Sequence, residues 1–209
     1  MNNHPFPLLN IHTHHPLPEG EVTVPAFGLH PWYLDSHRLA DELSGLKQHL
    51  MNATTLQPSP SLTGGVGGGA FIGECGLDRV CSTPYALQLS AFEAQIALSE
   101  ELHRPLLLHC VRALDDVLRL KRGTTQPWIW HGFRGKPQQL HQLLDHGFYV
   151  SFGFRHNADS LRLCPPDHLF LETDDSPAPI APLYATVAPI RETTVTDLCQ
   201  QVWQNLQML

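Results

Sequence analysis

Seven apolar runs, at 7–11, 22–29, 70–73, 105–109, 127–130, 148–152 and 168–172, punctuate the chain. Each has the length of a strand. Between most of them apolar residues recur three and four positions apart, the helical spacing. Residues 37–50 place Leu39, Leu43, Leu46 and Leu50 on one face, with Ser36 as the expected N-cap. Residues 84–103 open on Thr83-Pro84 and carry Leu87, Ala91, Ala94, Leu98 and Leu102. Shorter helices are expected over 113–121 and 137–146, the latter stopped by Gly147, and an amphipathic helix closes the chain near 195–207. Strands that alternate with helices predict parallel pairing through right-handed crossovers. The runs are too apolar to leave one sheet face in water, which fits an α/β barrel or a doubly wound sheet, and the expected fold is the first, a TIM-type (β/α) barrel. Seven strands fall one short of eight, which makes that barrel reduced or distorted. The shortfall lies between His14 and Val22. Residues 15–21 contain Pro16, Pro18 and Gly20 and leave no room for a helix. The chain there must return as an extended loop, or its next strand must begin antiparallel.

Length adds that 1–209 is one domain. Residues 52–69 read as a low-complexity loop insertion. Gly65-Val66-Gly67-Gly68-Gly69-Ala70 imitates a dinucleotide fingerprint, but it follows a helix and opens a strand, the reverse of the required context. Ser44-Gly45-Leu46-Lys47 matches a catalytic Ser-x-x-Lys by letters only and reads as a mid-helix surface pair. A formal net charge of −7 argues against a broad basic surface for nucleic acid, though a small phosphate-reading pocket next to bound cations remains compatible with it. Five cysteines without CxxC spacing favour reduced thiols and a cytoplasmic setting. Neither a secretory signal nor a membrane span is expected.

The candidate chemistry sits where the strands end. His12 and His14 follow the first run at i and i+2, so they project from one face. Glu74, His109, His131 and Asp174 each follow a later run. In a (β/α) barrel these ends form the working face, so four imidazoles and two carboxylates converge there. Such a set suits one or two divalent ions, and is large enough for two metals bridged by Glu74. Buried together without metal, these groups would carry a heavy desolvation cost. Taken singly each has a plain alternative: a packed or surface histidine, an ion-paired Glu74, an Asp174 that merely opens the turn Asp175-Ser176-Pro177.

The order of these motifs resembles the TatD family of metal-dependent hydrolases, a branch of the amidohydrolase-like superfamily. The resemblance is carried by Asn10-Ile11-His12-Thr13-His14, Gly28-Leu29-His30-Pro31-Trp32, Ile72-Gly73-Glu74-Cys75-Gly76-Leu77-Asp78 and Gln88 to Gln95 leading into Pro105-Leu106-Leu107-Leu108-His109. It continues through His131-Gly132-Phe133-Arg134-Gly135, Tyr149-Val150-Ser151-Phe152-Gly153 and Leu171-Glu172-Thr173-Asp174-Asp175-Ser176-Pro177. It implies a TIM barrel, metal ligands at His12, His14, Glu74, His109, His131 and Asp174, and zinc, manganese or magnesium as the ion. It also implies deoxyribonuclease or 3′–5′ exonuclease activity. The family usually carries Asp at the position of Asn10 and Leu-Asp at His15-Pro16. Its first crossover helix and second strand are expected to be missing here, and the segment after Pro177 is expected to be short.

On this reading Asp174 is the general base, Glu74 a catalytic ligand, and His30, Arg112 and Arg134 the candidates for substrate contact. His30 could instead cap a turn, and the arginines could be surface ion-pair partners. Asp78 either orients a ligand or belongs to a turn. The expected substrates are DNA ends or a small phosphoester, with no obligate protein partner. The alternative is hydrolysis of a C–N or carboxylic ester bond in a small substrate; a non-catalytic remnant is the third.

Overall fold

The computed structural model describes residues 6–53 and 70–209; the 52–69 loop from residue 54 on, and with it Gly65 to Gly69 of the fingerprint, lie outside the described residues. The strands are β1 Leu8–Asn10, β2 Glu21–Thr23, β3 Ala26–Phe27, β4 Phe71–Asp78, β5 Leu106–Val111, β6 Trp128–Trp130, β7 Phe148–Phe152 and β8 Leu169–Leu171. The helices are α1 Leu39–Asn52, α2 Tyr85–Leu102, α3 Leu114–Lys121, α4 Pro137–Asp145, α5 Ala158–Leu163, α6 Ala181–Ile190 and α7 Val195–Gln207. The chain falls into two compact units, the first holding residues 6–24 and 131–209 and the second residues 25–53 and 70–130.

In the first unit β1 pairs parallel with β2, Leu9 opposite Val22, and β7 pairs parallel with β8, Ser151 opposite Phe170. The Ile11 N–H donates to Leu171 O at 2.9 Å, which sets β1 beside β8. Helices pack over this sheet through anchored polar tips. The Tyr184 hydroxyl on α6 donates to Leu9 O at 2.9 Å, and Asn205 Nδ2 on α7 to Leu169 O at 2.8 Å. Both side chains are buried, so each satisfies a strand carbonyl that water cannot reach. Arg191, just past α6, does the same for the end of α5. Its Nη1 donates to Leu161 O at 2.8 Å, to Arg162 O at 3.1 Å and to Cys164 O. Helix-terminal carbonyls lack partners within the helix, and one guanidinium supplies three. Arg191→Met is therefore expected to cost about 1–3 kcal/mol, read as a lower urea midpoint at unchanged slope.

In the second unit β3, β4, β5 and β6 form a parallel sheet in that order, with Phe27 opposite Ile72 and Leu107 opposite Ile129. The β4–β5 register shifts between Ile72 and Cys75. A Cβ at Gly28 would stand 2.7 Å from the Gly73 Cα, so glycine is what lets the chain after β3 approach β4. Ile72, Leu77, Leu106, Leu107, Leu108, Trp128 and Ile129 are fully buried, and the Phe92 ring of α2 meets that of Trp128 at 5.5 Å between centroids.

Several expectations need correction. The run 22–29 is two strands, because Pro25 offers no N–H; the first pairs with β1 and the second with β4. Eight strands are thus described where seven were expected, and the missing second strand is present as β2, parallel and not antiparallel. No helix lies between β1 and β2, as residues 15–21 required. The first helix begins at Leu39 with Arg38 at its N-cap and no side-chain cap, so Ser36 does not start it. Helices α5 and α6 were not foreseen. α6 is apolar on nearly every face and carries Pro182 and Pro189, which mimics a loop. Pro182 falls in the first turn, where no helical N–H is needed. All five cysteines are free thiols. Among the described residues no helix is long and apolar enough to cross a membrane.

Candidate functional site

In the first unit the chain bends just past β1, and Thr13 bridges in parallel to Asp174, with the rings of His12 and His14 on either side of it 4.7 Å apart between centroids. Backbone bonds fix what faces them. His14 N–H donates to Asp174 O at 3.0 Å and Asp174 N–H to His12 O at 3.1 Å. Asn10 locks the same register through Thr173: its Nδ2 donates to Thr173 Oγ1 at 2.8 Å, and its Oδ1 accepts the Thr173 N–H at 3.0 Å. The Thr173 hydroxyl passes on to Thr13 Oγ1 at 3.0 Å. Asp174 has φ +54°, a left-handed conformation that Asp and Asn tolerate better than other side chains. Its Oδ1 lies 3.8 Å from His12 Nε2 and 3.7 Å from His14 Nε2.

The His131 ring lies 5.2 Å from that of His12. Its Nδ1 is 3.4 Å from Glu172 Oε1, which also accepts the Gly132 N–H at 2.6 Å. Glu172 is fully buried. Burial pushes its pKa up, but the hydrogen bond and charge of His131, with His12 and Ser151, outweigh this and hold it below the usual carboxylate range. An ionised Glu172 accepts a hydrogen bond from His131 Nδ1–H, which leaves Nε2 of the neutral ring with a lone pair for a metal.

His12, His14 and Asp174 form one set of potential donors and His131, Glu172 and Asp174 another; within each set the donor atoms lie within 4.8 Å of one another. Two atoms bound to one ion at about 2.1 Å stand roughly 3–3.4 Å apart, so the 3.8 and 3.7 Å from Asp174 Oδ1 to His12 Nε2 and His14 Nε2 need only slight closing. Mixed imidazole and carboxylate donors suit Zn²⁺ or Mn²⁺, and the residues fit the ion. A cavity of about 320 Å³ adjoins them, lined by Arg134, Phe154, Arg155, Glu172 and Asp174 among others.

The second unit gathers its own set: His30, Glu74 and His109, donor atoms again within 4.8 Å. Glu74 Oε2 is 3.5 Å from His109 Nδ1 and 3.8 Å from His30 Nε2. Asp78 Oδ2 lies 3.3 Å from His109 Nε2 and accepts the Trp32 indole N–H at 2.6 Å. Burial raises the Asp78 pKa, but the indole, the Val80 N–H and His109 together hold it low. With Nε2–H on Asp78, His109 presents Nδ1 toward Glu74. His30 differs. Its Nδ1 accepts the Trp32 N–H at 3.2 Å, so the neutral ring carries its proton on Nε2 and acts as a donor. Two buried glutamines on one face of α2, seven residues apart, hold the supporting backbone. Gln95 bonds both the N–H (2.7 Å) and the carbonyl (3.1 Å) of Leu29; Gln88 does so for Asp78 at 2.7 and 3.0 Å.

The structure thus brings His12, His14, His131 and Asp174 together in one unit and His30, Glu74 and His109 in the other. Arg134 lines the cavity beside Asp174. Arg112 stands exposed just past β5 with φ +54°, outside each donor set. Glu172 was missed, although a glutamate closing an apolar run two residues before Asp174 was the available signal. Trp32 and the two glutamines were likewise not singled out for their roles.

Comparison with known proteins follows from this geometry. The family model described as TatD-related DNase matches residues 17–209. The 3′-5′ ssDNA/RNA exonuclease TatD of Enterobacter lignolyticus is 38% identical over 120 residues, 49% of this chain and 44% of that protein. An uncharacterized metal-dependent hydrolase, YabD of Bacillus subtilis, is 25% identical over 162 residues, 66% of this chain and 64% of that one. The chain spans about half the length of the curated relatives it matches. A solved TatD homologue from Escherichia coli superposes with a TM-score of 0.69 at 23% identity, covering 88% of this chain and 74% of its own. That likeness shows the fold, and the expected α/β fold of TIM type holds.

Proposed function

We propose that this chain, which belongs to the family of TatD-related DNases, is a divalent-metal-dependent phosphodiesterase that removes nucleotides from the 3′ ends of single-stranded DNA. One observation carries the reading: two histidines from a strand end and the Asp174 carboxylate set three donor atoms within 4.8 Å of one another. The names of its relatives, an exonuclease and a metal-dependent hydrolase, supply the reaction class.

His12, His14, His131 and Asp174 hold metal in the first unit, and Glu74 with His109 in the second. A divalent ion held by these residues would supply Lewis-acid chemistry, with polarisation of a phosphoryl oxygen and a more acidic water. Asp174, on the cavity wall, accepts the proton of the attacking water. Glu172 keeps His131 in the tautomer that offers Nε2. His30, protonated on Nε2, donates a hydrogen bond to the substrate. Arg134, on the cavity wall, pairs with a phosphate oxygen.

Purified protein supplied in turn with Mn²⁺, Mg²⁺ and Zn²⁺ is expected to release mononucleotides from end-labelled single-stranded DNA and to leave p-nitrophenyl acetate and a model amide untouched. Turnover of the ester or amide with no nucleotide release under any metal would replace the nuclease reading with acyl hydrolysis.

A further inference from the structure

We propose that the Trp32 indole is a stacking platform for a base of the single-stranded nucleic acid. The inference rests on the nuclease reading and names the part of the substrate that the second unit grips. Trp128, Trp130 and Trp203 are 0, 9 and 8% exposed, whereas Trp32 is 50% exposed. It is nevertheless held firmly. Its indole N–H donates to Asp78 Oδ2 at 2.6 Å, and its backbone N–H to His30 Nδ1 at 3.2 Å. Its ring meets His30 edge-on at 4.9 Å and His109 edge-on at 5.6 Å. The polar edge of the indole is thus used inside the protein, and apolar ring surface is left in water. An anchored aromatic surrenders little further conformational freedom when a base settles on it. Tyr33, 73% exposed and 6.3 Å from Trp32 between centroids, extends the aromatic surface.

The contacts place a stacked nucleotide next to His109, whose Nδ1 is 3.5 Å from Glu74. Charge points the same way. A net charge of −7 works against holding a strand by counterion release alone. Stacking supplies affinity without one, and it accepts any base because every base has a π-face. Binding through Trp32 is therefore insensitive to sequence.

The test uses the whole chain stripped of metal, so that no cleavage occurs. Because the other tryptophans are buried, quenching of emission by a ligand reports Trp32. A short oligodeoxyadenylate is expected to quench that emission, and an abasic strand of equal length to leave it unchanged. Trp32→Leu is expected to abolish the response and weaken binding, measured by anisotropy of a labelled strand, about tenfold. Trp32→Phe keeps a stacking ring while losing the bond to Asp78, and should bind within about threefold of the parent. Unchanged emission with oligodeoxyadenylate, equal quenching by the abasic strand, or undiminished binding by Trp32→Leu overturns the platform. Cleavage assays keep the two readings apart. A protein that cleaves DNA without quenching loses only the platform, and one that shows Trp32-dependent quenching but cleaves nothing under any metal loses only the nuclease reading.

Discussion

Asp174→Asn is expected to lower kcat for single-stranded DNA about a thousandfold or more while the protein stays folded. Asp174 belongs to both donor sets of the first unit, with His12 and His14 and with His131 and Glu172. The amide cannot accept a proton from water, and it is a poor ligand for a hard divalent ion. A general base alone contributes about 10²–10⁴-fold, and the weakened metal site adds to the loss. The fold is spared for a local reason. Asp174 sits at φ +54°, and Asn is the substitute that tolerates this conformation. Its backbone bonds to His12 and His14 do not involve the changed group. Unfolding midpoints of the two metal-free proteins should agree within about 3 °C, since no buried contact is removed. If Asp174→Asn retains parental activity, the assigned base is wrong.

Glu172→Ala is expected to damage both stability and metal binding. The carboxylate is fully buried, satisfies the Gly132 N–H at 2.6 Å and lies 3.4 Å from His131 Nδ1. Its removal leaves a buried donor without its acceptor, at about 1–3 kcal/mol. It also frees the His131 ring and its tautomer, and loss of such a support weakens metal affinity about 10–100-fold. Glu172→Gln separates the effects. A Gln oxygen can still accept the Gly132 N–H, so most stability returns, but the charge that fixes His131 is gone and metal affinity stays low. Urea unfolding of metal-free protein and calorimetric titration with Zn²⁺ read the two quantities independently. Equal metal affinity in the parent and both variants would remove Glu172 from the metal site.

Much of this was legible because a strand that runs into a site changes character abruptly. Ile11 to His12, Gly73 to Glu74, Leu108 to His109 and Trp130 to His131 each pass from buried apolar backbone to a side chain of metal-ligating type within one step. Period and polarity record such a change. They do not record conformations set by distant contacts. The break at Pro25 depended on β3 turning to pair with Phe71 and Ile72. α6 hid because a helix buried on most sides has no polar face to supply a period. Glu172 hid inside the apolar run that supports it. The left-handed turn at Asp174 and the clamp between Asn10 and Thr173 span residues more than 160 positions apart. Trp32 carried no signal of its surface position, because exposure is a property of the fold and not of the letter.

The central claim, metal-dependent hydrolysis of nucleic-acid ends, is tested most directly on 5′-labelled single-stranded DNA. The protein is first stripped of metal with a chelator, and Mn²⁺, Mg²⁺ or Zn²⁺ is then restored. The account predicts an intact strand without metal and, with at least one of these ions, a ladder that shortens from the 3′ end. An intact strand under every metal, or shortening that persists in the chelator, would contradict it.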